Sequence, residues 1–262
     1  LNLGNHVLSA GTADTAAITV GDGANPLQLT LNGGTITNSA GNGVFVKNGS
    51  TLTTNGVTIT ENGNNGVTLA GGANFVMNKG TTISKNHSSG VYVGGNATFT
   101  MNDGEISNNT VEKNNATEVF KLQNVLQTIW YRAGGGVYVN GGTFNMTGGT
   151  ITKNSTGDLE TKAVIDGTKT ERDDYVGRGG GVAVMNGGTF NLSGNATISD
   201  NKAGEAGGVM IGQTTKKSDK NESNNADSVF TMTGGTVDGN VAYKGEGGGI
   251  YIKGEGHISA GQ

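Results

Sequence analysis

The residues best equipped for chemistry lie in two stretches. Arg172-Asp173-Asp174-Tyr175, with Arg178 just beyond, sets two carboxylates among cations and a phenol. Paired carboxylates serve glycoside hydrolysis as acid and base or nucleophile, and carboxylate oxygens also bind calcium. Adjacent Asp residues on one loop equally often face solvent, so this group stands as a binding candidate rather than a catalytic one. The second stretch is ATEVFKLQNVLQTIWYR (116–132), which ends in the only Trp of the chain. Trp130 and Tyr131 are candidate contacts for a glycan or a protein partner. His6, His87 and His257 fall on no motif, and His87 reads as a solvated corner residue. No cysteine is present, which excludes a disulfide scaffold and a thiolate metal site. No cofactor motif, metal-ligand set or catalytic residue is assigned.

Both stretches interrupt a repeat that must position them. Its clearest copy is GGGVYVNGGTFNMTGGTITKN at 134–154, and weaker copies fill most of the chain. The first apolar position of each copy is Val44, Val67, Val91, Val137, Val182, Val209 and Ile250. The first steps are 23 and 24 residues; the next two are 46 and 45, a repeat plus an insertion of similar length. Within a copy, three apolar groups alternate with polar residues, the period-two mark of strands with one buried face. Gly-Gly, Asn-Gly or Gly-Asn between the groups allows the positive φ of a tight corner.

No single repeat buries its own apolar row, but stacking at ~4.8 Å does. The expected fold is all-β: a single-stranded, right-handed parallel β-helix with three short strands per coil and about seven to nine coils. Right-handedness follows from a rhythm longer and looser than the hexapeptide period of left-handed β-helices. The predicted inward columns are Leu29, Leu52, Phe75, Phe99, Phe144, Phe190, Phe230; Leu31, Thr54, Met77, Met101, Met146, Leu192, Met232; and Ile36, Ile59, Ile83, Ile106, Ile151, Ile198, Val237. Three residues beyond the last column come Asn62, Asn86, Asn109, Asn154, Asn201 and Asn240, expected as a ladder at a corner where Asn tolerates left-handed backbone.

The chain reads as one domain, 1–262, cut from a longer solenoid, with insertions at 110–132, 155–177 and 213–228. The first two leave from the same corner on adjacent coils and should form one lobe. Val119, Leu122, Val125, Leu126 and Ile129 fall at helical spacing, which predicts a short helix, capped by Asn114 or Asn115, packed on the solenoid wall or the second insertion. The third insertion, with Lys216, Lys217, Asp219, Lys220 and Glu222, reads as a charged loop.

A net charge of −4 argues against nucleic acid as partner. No apolar run is long enough to span a membrane, so this segment is not expected to insert into one. The 49 glycines hold fixed places in a pattern and so signal order. The stretches ISDNKAGEAGGVMI (198–211) and VDGNVAYKGEGGGIYI (237–252) resemble the paired FxxN and GGAI signatures of the chlamydial polymorphic outer-membrane proteins. More widely they are similar to β-helical repeats of bacterial surface and autotransporter-type proteins. Val or Ile stands where that family often has Phe, and GGGV or GGGI stands for GGAI. The resemblance implies an extracellular or cell-surface bacterial protein with an adhesive role; it carries over no catalytic residue. The expected function is therefore structural or adhesive, a monomer meeting a glycan or host surface protein through its paired insertions. One alternative is a polysaccharide lyase or glycoside hydrolase, although the separate Asp pair and Gly-His-Gly of pectin-degrading hydrolases are absent. Another is ice binding through outward Thr-x-Thr rows such as Thr35/Thr37 and Thr58/Thr60. Strand propensity alone also accounts for those threonines.

Overall fold

A computed structural model describes residues 1–10, 15–112, 116–122, 125–157, 177–212, 227–253 and 257–260, with the backbone alone over 116–122, 125–131 and 257–260. The described residues are all-β, with no helix. Short strands from successive repeats pair in parallel and in register, as in a parallel β-helix or solenoid. One ladder runs Ile18–Val20, Val44–Val46, Val67–Leu69, Val91–Val93, Val137–Asn140, Val182–Met185, Val209–Gly212, Ile250–Lys253. Two further ladders share the long strand Gln28–Thr37, whose first half pairs with Thr51–Asn55 and second half with Thr58–Thr60. A smaller sheet stacks Thr110–Val111, Ser155–Thr156, Lys202–Glu205 and Val241–Glu246 just after the Asn corner. Its first two strands, of two residues each, carry too little periodicity to be seen in the sequence.

Register alone builds the core. Because Phe99 aligns with both Phe75 and Phe144, their rings stack at 4.9 and 4.7 Å, tilted by only 8° and 4°. The stack continues through Phe190 to Phe230 at 4.7 and 5.0 Å. These spacings are the strand-to-strand distance, so the backbone sets the ring geometry. The methionine and isoleucine columns align in the same way, Met77–Met101–Met146 and Ile83–Ile106–Ile151, all buried.

The buried asparagines form a saturated amide ladder. Each Nδ2 donates to the Oδ1 of the next: Asn62 to Asn86 at 2.9 Å, Asn86 to Asn109 at 2.8 Å, Asn109 to Asn154 at 2.9 Å, Asn154 to Asn201 at 3.0 Å, Asn201 to Asn240 at 2.9 Å. The same Oδ1 also accepts the backbone N–H of the preceding ladder residue, as in Asn109 N–H to Asn154 at 3.0 Å. The second amide hydrogen reaches an isoleucine carbonyl of the preceding repeat, as in Asn154 Nδ2 to Ile106 O at 2.9 Å. A buried primary amide thus uses its full donor and acceptor capacity. The left-handed backbone belongs one residue earlier than expected. Glu61, Lys85, Asn108, Lys153 and Asp200 take φ of 54–56°, while the ladder residues do not. A second, partly exposed ladder, unforeseen from the sequence, links Asn102, Asn78, Asn55 and Asn32 at 2.9, 2.9 and 2.8 Å.

The expected short helix in the first insertion is overturned. Ala116–Leu122 and Val125–Tyr131 form an antiparallel pair, in which Leu122 faces Val125 and Ala116 faces Tyr131. Thr117, Val119, Phe120, Val125, Thr128, Ile129, Trp130 and Tyr131 are β-branched or aromatic, and that preference outweighs the helical spacing of five apolar residues.

The two ladders differ in what their loss exposes. Asn154→Ala leaves the buried Asn109 N–H without its acceptor, strips Asn109 Nδ2 of one of its two acceptors and removes a donor from the Ile106 carbonyl, and should lower unfolding free energy by about 3 kcal/mol. Asn102→Ala on the partly exposed ladder should cost less than about 1 kcal/mol, since water replaces the bond. Urea unfolding of both variants checks the difference.

Candidate functional site

The two large insertions share one floor. They leave from paired residues, Thr110 opposite Ser155 and Val111 opposite Thr156. They come back at paired residues too, since Ala133 bridges Arg178, which in turn bridges Glu205. The following repeat shows the same passage without an insertion. Lys202 aligns with Ser155 and Glu205 with Arg178, so Ala203 and Gly204 alone cover what 156–177 covers one repeat earlier. The first two residues of each insertion as read from the sequence therefore belong to the stacked scaffold.

Buried and half-buried charge holds this floor. The Arg178 Nε donates to Glu205 Oε2 at 2.8 Å, with the Arg178 side chain 4% exposed and Glu205 17%. Arg178 N–H donates to Arg132 O at 2.7 Å, and Gly179 N–H to Glu205 O at 3.1 Å. Arg132 Nη2 donates to the Glu112 carbonyl at 2.5 Å, and Tyr243 Oη donates to the Thr156 carbonyl at 3.2 Å. These bonds tie the exits of the insertions to their returns. At the rim, His87 Nδ1 lies 3.0 Å from Glu112 Oε2, both exposed. His87 is thus a solvated corner residue with an acidic neighbour.

Beneath the floor sits a second apolar cluster. Val137 and Val139 point into the main core, so strand alternation turns Tyr138 to the opposite face. There Tyr138, Ala183 and Met210 align across three repeats and pack with Ala133, Met185 and Ala206, with Tyr92 and Tyr251 at the margins. Tyr92 and Tyr138 meet edge to face at 5.4 Å. The triple-Gly runs allow this layer. A Cβ on Gly134 would stand 2.6 Å from Tyr138 Cα, and one on Gly179 2.9 Å from Ala183 Cβ, both at positive φ. Burial raises the Tyr138 phenol above its ordinary range, with Tyr92 adding to the shift. The Tyr251 phenol is pushed up to about 12, first by its hydrogen bond to Glu246, then by burial and by the charges of Glu246 and Glu205.

The candidate contacts divide around this floor. Trp130 and Tyr131 pair with Thr117 and Ala116 at the end of the hairpin that joins Arg132. Arg172, Asp173, Asp174 and Tyr175 lie outside the described residues, as does 213–226 of the third insertion. That insertion's base is closed where Ser228 Oγ donates to Gly212 O at 2.8 Å. Glu205, Thr156 and the Tyr138 cluster were missed from sequence, though the aligned Ala133, Arg178 and Glu205, each shortly before a Gly run, were a readable signal. The outward Thr rows do align, Thr35–Thr58–Thr82 and Thr37–Thr60–Ser84, but Glu105 follows Thr82 in the first row and Asp238 ends the second. Among the described residues no group of acidic or histidine side chains is placed to hold a metal ion, and no helix is long and apolar enough to cross a membrane. Comparison with protein-family models, curated proteins and solved structures gives no match.

Removing one partner of the Arg178–Glu205 pair breaks a charged hydrogen bond in a nearly dry site. Glu205→Ala should destabilise by about 3 kcal/mol, whereas Arg178→Met with Glu205→Leu should stay within about 1 kcal/mol of the parent. A double-mutant cycle in urea measures both.

Proposed function

We propose that this chain is a rigid binding segment of a bacterial cell-surface or secreted protein. In this reading a right-handed β-helix of three principal strands per coil and about seven to nine coils holds up one paired lobe. The lobe, made by the insertions 110–132 and 155–177 beyond their two scaffold residues, contacts a glycan or a host surface protein through Trp130, Tyr131, Arg172, Asp173, Asp174 and Tyr175. The observation that supports this is the shared floor. A stacked repeat needs only Ala203 and Gly204 to make the same passage, so two long segments grafted in register serve something other than folding. The resemblance of 198–211 and 237–252 to bacterial surface repeats supports the location. No catalytic residue is assigned, and the enzyme reading rests on Asp173 and Asp174 and on fold analogy.

The test replaces 111–132 by the two-residue link that the later repeat uses, Ala-Gly. The parent and the shortened chain are compared on a glycan array and against host surface extracts, with urea unfolding as a check on the fold. Binding should disappear with the lobe, and Trp130→Ala should weaken it by at least about tenfold, as expected of a buried aromatic anchor. Binding that survives shortening of both insertions overturns the proposal and moves attention to the strand faces.

A further inference from the structure

Asparagine followed by glycine is the sequence most open to spontaneous deamidation, because glycine leaves its own amide nitrogen unshielded by a side chain. This chain holds eight such steps: at Asn32, Asn42, Asn48, Asn55, Asn62, Asn65, Asn140 and Asn186. Ring closure requires the side-chain amide to swing onto the following backbone nitrogen, so both groups must be free. At seven steps the stacking holds one or both.

Five of those glycines donate their N–H across to another repeat. Gly43 reaches Asn65 O at 3.0 Å, Gly56 reaches Lys79 O at 3.2 Å, and Gly63 reaches Ser39 O at 2.7 Å. Gly66 reaches Ser89 O at 3.2 Å and Gly141 reaches Met185 O at 3.0 Å. The two others are held by the side chain: Asn32 Oδ1 accepts from Asn55 at 2.8 Å, and Asn186 Nδ2 donates to Asn140 Oδ1 at 2.6 Å. Asn48 differs on both counts. Asn48 and Gly49 are exposed, and among the described residues neither the Asn48 side chain nor the Gly49 N–H makes a hydrogen bond. The turn that carries them is closed by Ser50 N–H to Lys47 O at 3.0 Å, with Gly49 at φ 72°.

We propose that Asn48 is the site at which this folded protein is modified by water. The Gly49 nitrogen gives its proton to solvent base and attacks Asn48 Cγ. The new C–N bond closes a five-membered succinimide as the Cγ–Nδ2 bond breaks, and the amide nitrogen leaves as ammonia. Water then adds at either ring carbonyl and opens the ring to aspartate or isoaspartate at position 48. The product carries one more negative charge at an exposed corner, and in the isoaspartate form one more backbone carbon. The other seven steps react only after local opening of stacked repeats, which is costly in the middle of a ladder.

The purified chain is incubated at mildly alkaline pH, folded and in urea, and followed by peptide mass mapping with isoaspartate detection. In the folded protein, conversion at Asn48 should outpace each of the other steps by at least about tenfold. In urea the eight rates should converge. Asn48→Gln should suppress the acidic species that anion exchange separates from the parent. A folded protein that converts first at another step, or at all eight equally, overturns the proposal. So does an Asn48→Gln chain that acidifies as fast as the parent.

Discussion

In-register parallel pairing is the constraint on which everything else in this protein depends. Each strand lies on its equivalent in the next repeat, so in the core columns like meets like. For an apolar column this is favourable whatever the residue, and Phe, Met and Ile each stack with their own kind. For a polar column it is dangerous, because identical groups offer identical donors or acceptors. Asparagine escapes the problem, since its amide carries a donor and an acceptor on one plane and can pass a hydrogen bond along a file of copies. A ladder of Asp or Lys in the place of Asn109 and Asn154 would stack like charges in a buried site. The same rule explains why the left-handed corner residue, whose side chain leaves the stack, is free to be Glu61, Lys85, Lys153 or Asp200.

That constraint also decides what the sequence discloses. Column positions were legible because register forces the same residue class at a fixed offset. Leu29 through Phe230, Leu31 through Met232 and Ile36 through Val237 align in the strand pairing as the spacing predicts, and Asn62 through Asn240 align through their amide hydrogen bonds. What lay outside the columns was less legible. The insertion at 116–132 has no neighbouring copy to compare with, and period alone favoured a helix where β-branched and aromatic content won. The small sheet at the Asn corner and the Tyr138 layer are harder to read, because the sheet begins in two strands of two residues each and the layer mixes tyrosine and methionine with alanines at aligned places. Such residues register space rather than chemistry, and a sequence shows the residue but not the surface that presses on it. The candidate site was legible mainly as a location: paired departure points follow from spacing, and Arg178 and Glu205 hold equivalent places one repeat apart, but their residue types alone do not say that the two side chains meet.

A stack of this kind separates stability from function along its own axis. Each repeat rests on its two neighbours, so a segment grafted into one corner perturbs only that corner. The repeats that carry insertions pay a local price in geometry, visible as the extra sheet, the Gly runs pressed on Tyr138 and Ala183, and an ion pair beneath the return points. The repeat containing Lys202–Glu205 keeps the extra sheet and the second cluster yet has no insertion. The small sheet therefore extends two strands, Lys202–Glu205 and Val241–Glu246, beyond the pair that leads into the insertions.

The same separation governs where amide chemistry is tolerated. An asparagine-rich chain with eight Asn-Gly steps would be a poor choice for a long-lived exposed scaffold if each step were free to cyclise. Stacking removes the hazard by using the reactive atoms as structural ones: the glycine N–H becomes a rung between repeats, and the amide joins a ladder. A step escapes only where a turn is closed within its own repeat, as at Lys47–Ser50. Chemical durability and mechanical cohesion thus come from the same hydrogen bonds, and a repeat that loses its neighbour loses both together.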